Sequence, residues 1–312
     1  MLSITFGALL VIVIGVKILD NSKGINTLKG VLFEIDQELV TAVILQPHVL
    51  QGEQIELKKE GDQWRVLFKG KNYNGDATLI TGLINQVNGL KPLRLAARDK
   101  DRWEKFELTD SLASEVILMG KEGELARLFI GKFSYQVPKQ QMVNQNPYMR
   151  QQGTMTTYVR NGDDQEVYAV EGFLGSSINR DAAAFRNKQL VKVNQTDIHK
   201  ITFEYPADSS FTMVKNENVW MNDGVKLDST SVANYLSGIT SLNGTSFIDD
   251  QPQPFTHRVK IQFGQSKVVE IQAKLEEADA IMTTTQNPGS VFKENKDRNF
   301  KKLFISKQSL MK

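Results

Sequence analysis

Apolar residues recur along this chain in two periods, and the alternation between those periods is itself repeated. In "VLFEIDQELVTAVILQP", Val40, Ala42 and Ile44 share one face while Val43 and Leu45 share the other, the alternation of a β-strand. The segment "QIELKKEGDQWRVLF" sets two β-rich runs around Gly61 and Asp62, which predicts a hairpin whose second strand carries Trp64. A helix is predicted next. Asp76 stands where an N-cap carboxylate accepts the free amide protons of a first turn, and Ile80, Leu83, Ile84, Val87 and Leu90 mark one helical face.

The same order returns in "VWMNDGVKLDSTSVANYLSGITSL", with Trp220 before the turn and Asp228 at the helix start. With Asp76 aligned on Asp228 and no gap, the first stripe falls on Val232, Tyr235, Leu236, Ile239 and Leu242, five apolar positions on five. Farther on, "EVILMGKEGELARLFIG" is matched by "RVKIQFGQSKVVEIQA", and "TTYVRNGDDQEVYAVEGF" by "IMTTTQNPGSVFKEN", each a strand, a turn and a strand. The pattern predicts an α+β fold of two tandem copies of an antiparallel-hairpin-plus-helix module, spanning 31–188 and 189–312. In that plan Trp64 and Trp220 are packing residues and Asp76 and Asp228 are helix caps, four structural roles.

The chief difference between the copies is "SYQVPKQQMVNQNPYMRQQGTMTT", Ser134 to Thr157, set before the third hairpin of the first copy. Its Gln and Asn content suits a loop or a docking strand, and Tyr148, Met149 and Arg150 are the candidate partner-binding residues if it orders on contact. At the other end, Leu2 to Val16 carries no charge, and a helix over Leu2 to Leu19 would be about 27 Å long. The expectation is an N-terminal transmembrane helix at 1–20 followed by a stem at 21–30. A cleaved signal peptide is disfavoured, because no basic region precedes the run and no small-x-small site follows it.

Composition narrows the function. A net charge of +2 provides no field for nucleic acid, and the absence of cysteine removes disulfides, thiolate nucleophiles and Cys-ligated metals. His48, His199 and His257 are too scattered to form a metal set, "GFLGSS" and "GQSKVVE" lack a nucleophile elbow, and no Walker or dinucleotide-binding glycine pattern occurs. Glu276, Glu277 and Asp279 in "KLEEADA" could serve a cation or a hydrolase, although a solvated turn is the simpler reading. No catalytic residue, cofactor or metal is assigned. The basic C-terminus, with Phe300, Leu303 and Phe304 at helical spacing, fits a docked terminal helix or a contact with anionic lipid.

The tryptophan hairpin, the Asp-capped helix, "VILMG", "RLFIGK", "TYVRNGDDQEVYAV" and "FRNKQLVKV" follow one another in an order that resembles the bacterial domain-of-unknown-function family 4340. That resemblance implies a single-pass protein of the bacterial inner membrane with its soluble part in the periplasm, associated with gliding-motility-type ABC transporter membrane subunits. It implies no catalytic residue. The leading expectation is therefore a non-enzymatic, membrane-anchored accessory protein that contacts lipid through its N-terminal helix and binds a transport complex. The alternative is a cell-envelope glycan or polysaccharide binding module that uses the amide-rich insertion.

Overall fold

Strands absorb most of the apolar alternation, and they do so in two sheets. The computed structural model describes residues 30–136, 153–162, 164–249 and 254–311. The first nine strands are β1 (Ala42–Gln46), β2 (Ile55–Glu60), β3 (Gln63–Phe68), β4 (Lys71–Asn74), β5 (Pro92–Ala97), β6 (Ser114–Met119), β7 (Glu124–Gln136), β8 (Thr154–Asn161) and β9 (Val167–Glu171). They form one sheet in the order β4-β3-β2-β1-β6-β7-β8-β9-β5. Next come β10 (Gln189–Lys192), β11 (Ile198–Glu204), β12 (Phe211–Asn216), β13 (Val219–Asn222), β14 (Val225–Lys226), β15 (Ser241–Asn243) and β16 (Ser246–Ile248). The last four are β17 (His257–Phe263), β18 (Lys267–Leu275), β19 (Asp279–Thr284) and β20 (Val291–Asn295). These make a second sheet, β14-β13-β12-β11-β17-β18-β19-β20-β16, with β10 and β15 paired apart. If β11–β14 are matched to β1–β4, β16 to β5 and β17–β20 to β6–β9, the two orders coincide.

This architecture corrects the expected α+β class. The fold is mostly β, two large antiparallel sheets. Among the described residues the α-helices are only α1 (Ala77–Asn88), α2 (Gly175–Ile178), α3 (Ser229–Ile239) and α4 (Asn299–Leu303). One amphipathic helix of eleven or twelve residues gives a strong 3.6-residue signal, whereas nine short strands give nine weak ones, so the pattern overstated the helical layer. The expected transmembrane helix lies outside the described residues, and among those described no helix is long and apolar enough to cross a membrane.

Local rules account for the elements that do form. Gly61 and Asp62 close the β2–β3 hairpin with Glu60 opposite Gln63, and Gly61 takes a φ of +60°, which a residue without Cβ adopts cheaply. Asp76 Oδ1 accepts from Leu79 N at 3.0 Å, and Asp228 Oδ1 from Ser231 N at 2.9 Å, so each main helix begins on a carboxylate. All ten stripe residues are buried; Leu90 and Leu242 lie just past their helices, Leu242 within β15. Trp64 is buried, while Trp220 is half-buried against its core.

By contact density the chain falls into two units, Met1–Ile55 with Thr81–Arg180, and Glu56–Ile80 with Asp181–Lys312. In the first unit, Trp103, Phe106, Leu108, Phe129, Tyr158 and Val167 form a cluster. The buried Arg160 guanidinium lies 3.9 Å from the Trp103 ring centre and 3.5 Å from that of Phe129, and it donates to Leu108 O and to Asp110. In the second unit, Ile201, Phe203, Met213, Ile261 and Ile271 of the sheet meet Val232, Leu236 and Ile239 of α3. Full burial of such side chains favours folding by about 1.5–3 kcal/mol each before entropy is counted.

Candidate binding surfaces

In the first unit the end of the β7–β8 hairpin next to residues 137–152 carries exposed aromatic surface. Ser134 pairs with Thr156, Tyr135 with Met155 and Gln136 with Thr154, so both ends of the predicted insertion continue the ladder. The expected loop boundaries at Ser134 and Thr157 are corrected accordingly, and 137–152 lies outside the described residues together with Tyr148, Met149 and Arg150. Directly opposed residues of a ladder share a face, and residues two apart on one strand do as well. Phe133, Tyr135 and Met155 therefore stand together, and the Phe173 ring joins them 4.6 Å from that of Phe133. Tyr135, Met155 and Phe173 are about half exposed, at 53, 48 and 48 %. The Tyr135 ring packs over Gly153, where a Cβ would stand 2.5 Å from it and turn the half-exposed ring aside.

The second unit holds a polar groove enclosing about 570 Å³. One wall runs from the β2–β3 turn through β3 and β4 to the first residues of α1, and the other comprises 187–192, β15 and the 286–288 turn. Asn72 and Asn74 share a face of β4, and Arg65 of β3 donates to both. Asn74 Nδ2 donates in turn to Asn287 Oδ1 at 2.8 Å and to Pro288 O at 3.1 Å. The fully buried Asn287 donates to Asn187 O at 2.6 Å, so its carboxamide is held at both ends. Gln286 is fixed likewise, accepting from Lys192 N at 2.7 Å and donating to Lys192 O at 3.0 Å. Gly75 lets the end of β4 lie close against β3 within the first of these walls, since a Cβ there would stand 2.9 Å from Trp64 O.

Beside the groove a cation is boxed between rings. The Arg186 guanidinium lies 3.7 Å from the ring centres of both Tyr73 and Phe247, and its Nε has no hydrogen-bond partner among the described residues. Burial pulls Arg186 below its ordinary value, partly opposed by Tyr73 and Asp249. Lys71 donates to Asp249 and holds that carboxyl below the usual range, and Tyr73 Oη donates to it at 3.3 Å. None of these residues was singled out from the sequence. The available signal was the clustering of short amide-rich runs, "YNGD", "RNKQ" and "TQNPG", on polar strand ends.

The other candidates resolve differently. Glu276 and Asp279 both reach Lys293 Nζ, at 3.5 and 3.3 Å, and among the described residues no cluster of three His, Asp or Glu could hold a metal. His257 packs among Tyr205, Phe300 and Phe304 with ring centres 5.3–5.8 Å away. Phe300 and Phe304 stack on each other at 4.6 Å, Leu303 is buried, and Lys301 and Lys302 remain exposed on the short α4.

No curated protein and no solved structure matches the chain. Residues 150–260, which include β8 to the first part of β17 and part of one wall of the groove, match the family described as Domain of unknown function (DUF4340), and over that stretch the chain resembles this family.

Proposed function

We propose that this protein is a non-enzymatic accessory protein of the bacterial inner membrane. The apolar run Leu2–Leu19 attaches it, its β-rich body lies in the periplasm, and it binds an ABC-type transport complex of the gliding-motility type. The observation that carries this reading is the exposed surface of Tyr135, Met155 and Phe173 beside the half-buried Phe133, next to residues 137–152. Aromatic and methionine side chains standing together in solvent are costly to a monomer and are the usual anchors of a protein interface. Tethering to the membrane raises the effective concentration of such a surface near a membrane-embedded partner.

The test is affinity capture of the tagged full chain from solubilised bacterial membranes. Transporter membrane subunits are expected to co-purify, and the double substitution Tyr135→Ser with Phe173→Ser is expected to weaken the complex at least tenfold. Recovery of no transporter subunit with the unaltered chain overturns the proposal.

A further inference from the structure

The hairpin-end surface leaves the groove of the second unit without a role, yet its chemistry is more selective. We propose that this groove is a binding site for a neutral, hydroxyl-rich ligand, an oligosaccharide, distinct from the partner-binding surface. Charge is the first discriminator. Asp62 and Asp76 oppose Lys188 and Lys192 in the lining, so neither a phosphate nor a cationic ligand meets a field of one sign. The start of α1, which would otherwise favour an anion, is already occupied by the Asp76 carboxylate through Leu79 N.

Hydrogen-bonding capacity is the second. Carboxamides offer a donor and an acceptor on one plane, the complement of adjacent sugar hydroxyls that both donate and accept. The groove supplies them in two tiers. On the floor, Asn74 and Gln286 are locked by the bonds to Asn287, Pro288 and the Lys192 backbone, which fixes the walls before any ligand arrives. At the rim, the side chains of Gln63, Thr78, Ser241 and Asn243 have no hydrogen-bond partner among the described residues and are exposed. β15 places Ser241 and Asn243 on one face because Leu242 between them turns into the core. An apolar ligand would strand these groups, whereas a short glycan would satisfy them. The volume of about 570 Å³ lies in the range of small-molecule sites.

The test is isothermal titration of the full chain in detergent with maltotetraose, cellotetraose and chitotetraose in turn, and with inorganic phosphate. At least one neutral tetrasaccharide is expected to bind saturably with a Kd on the order of 0.1–1 mM, and phosphate is expected neither to bind nor to compete. Gln63→Ala with Asn243→Ala is expected to weaken that binding about tenfold, and Ser241→Trp, which fills the groove from an exposed position, to abolish it. Both variants should keep the parent's thermal midpoint and still capture the transport complex, which separates this site from the hairpin-end surface. The inference is overturned if no neutral tetrasaccharide binds at about 10 mM, if binding survives Ser241→Trp, or if phosphate displaces the sugar.

Discussion

His257 shows how a single half-buried titratable group sets a pH dependence. Desolvation among Tyr205, Phe300 and Phe304 pushes its imidazole below the ordinary value of 6.5, so the folded protein favours the neutral ring more than the unfolded chain does. The resulting contribution to stability is complete above about pH 6.5 and is lost as pH falls from there through the lower folded value. The carboxylates held low by cations, Asp249, Glu204 and Glu124, lose their contributions only as pH falls below the ordinary values of 3.8 and 4.5, so they do not obscure this window. Urea unfolding measured from pH 8 to pH 5 should show a falling midpoint, and His257→Phe should flatten that slope. An equal slope in the variant would locate the titrating group elsewhere.

Glycines divide the elements into those that are close-packed and those that are merely continuous. At Gly131, where β7 bulges between Ile130 and Phe133, an added Cβ would meet the backbone oxygens of Phe106 and Glu107, and Glu107 is itself left-handed at φ 57°. Gly82 sits mid-way along α1, exposed, with nothing within 4 Å of a built Cβ. Gly131→Ala is expected to destabilise by about 1–3 kcal/mol. Gly82→Ala is expected to stabilise by roughly 0.5–1 kcal/mol, because alanine loses less backbone entropy in a helix. Denaturant midpoints moving in the same direction for both would contradict this account. Elements set by local rules were legible in the sequence: the Gly61-Asp62 turn, the Asp76 and Asp228 caps and the ten-residue stripe all depend on neighbours within a few positions. Fold class and site were not. Whether nine strands or one helix dominates depends on pairings such as β1 with β6 and β5 with β9, and the groove joins Asn74 to Asn287 across more than two hundred residues.

At the scale of the whole molecule, the repeat in strand order and the partition of contacts follow different boundaries. The second sheet begins with β11, after the second copy of the sequence pattern opens at Gln189, yet the second unit also takes in Glu56–Ile80 and the residues from Asp181. The reason lies in polar groups that cannot be left unmade. Asn287 is fully buried and bonds to Asn74 and Asn187, Phe247 faces the Arg186 guanidinium, and Asp249 accepts hydrogen bonds from Lys71 and Tyr73. A fragment starting at Gln189 keeps Ser290 as a partner for Asn287 but loses Asn74, Asn187, Arg186, Lys71 and Tyr73. Leaving the Asn287 carboxamide short of its partners costs about 1–3 kcal/mol, a sizeable fraction of the stability of a domain this size, whereas the exposed Asp249 adds little. The fragment 189–312 should therefore unfold at a lower urea midpoint than the second unit does within the full chain. The amides of 286–292 should also exchange faster by hydrogen–deuterium measurement, while those of β11, β17 and β18, whose partners all lie after Gln189, keep most of their protection. Equal exchange at 286–292 in the fragment and the full chain would mean that the amide network is dispensable, and that the second copy is complete without the β2–β4 arm.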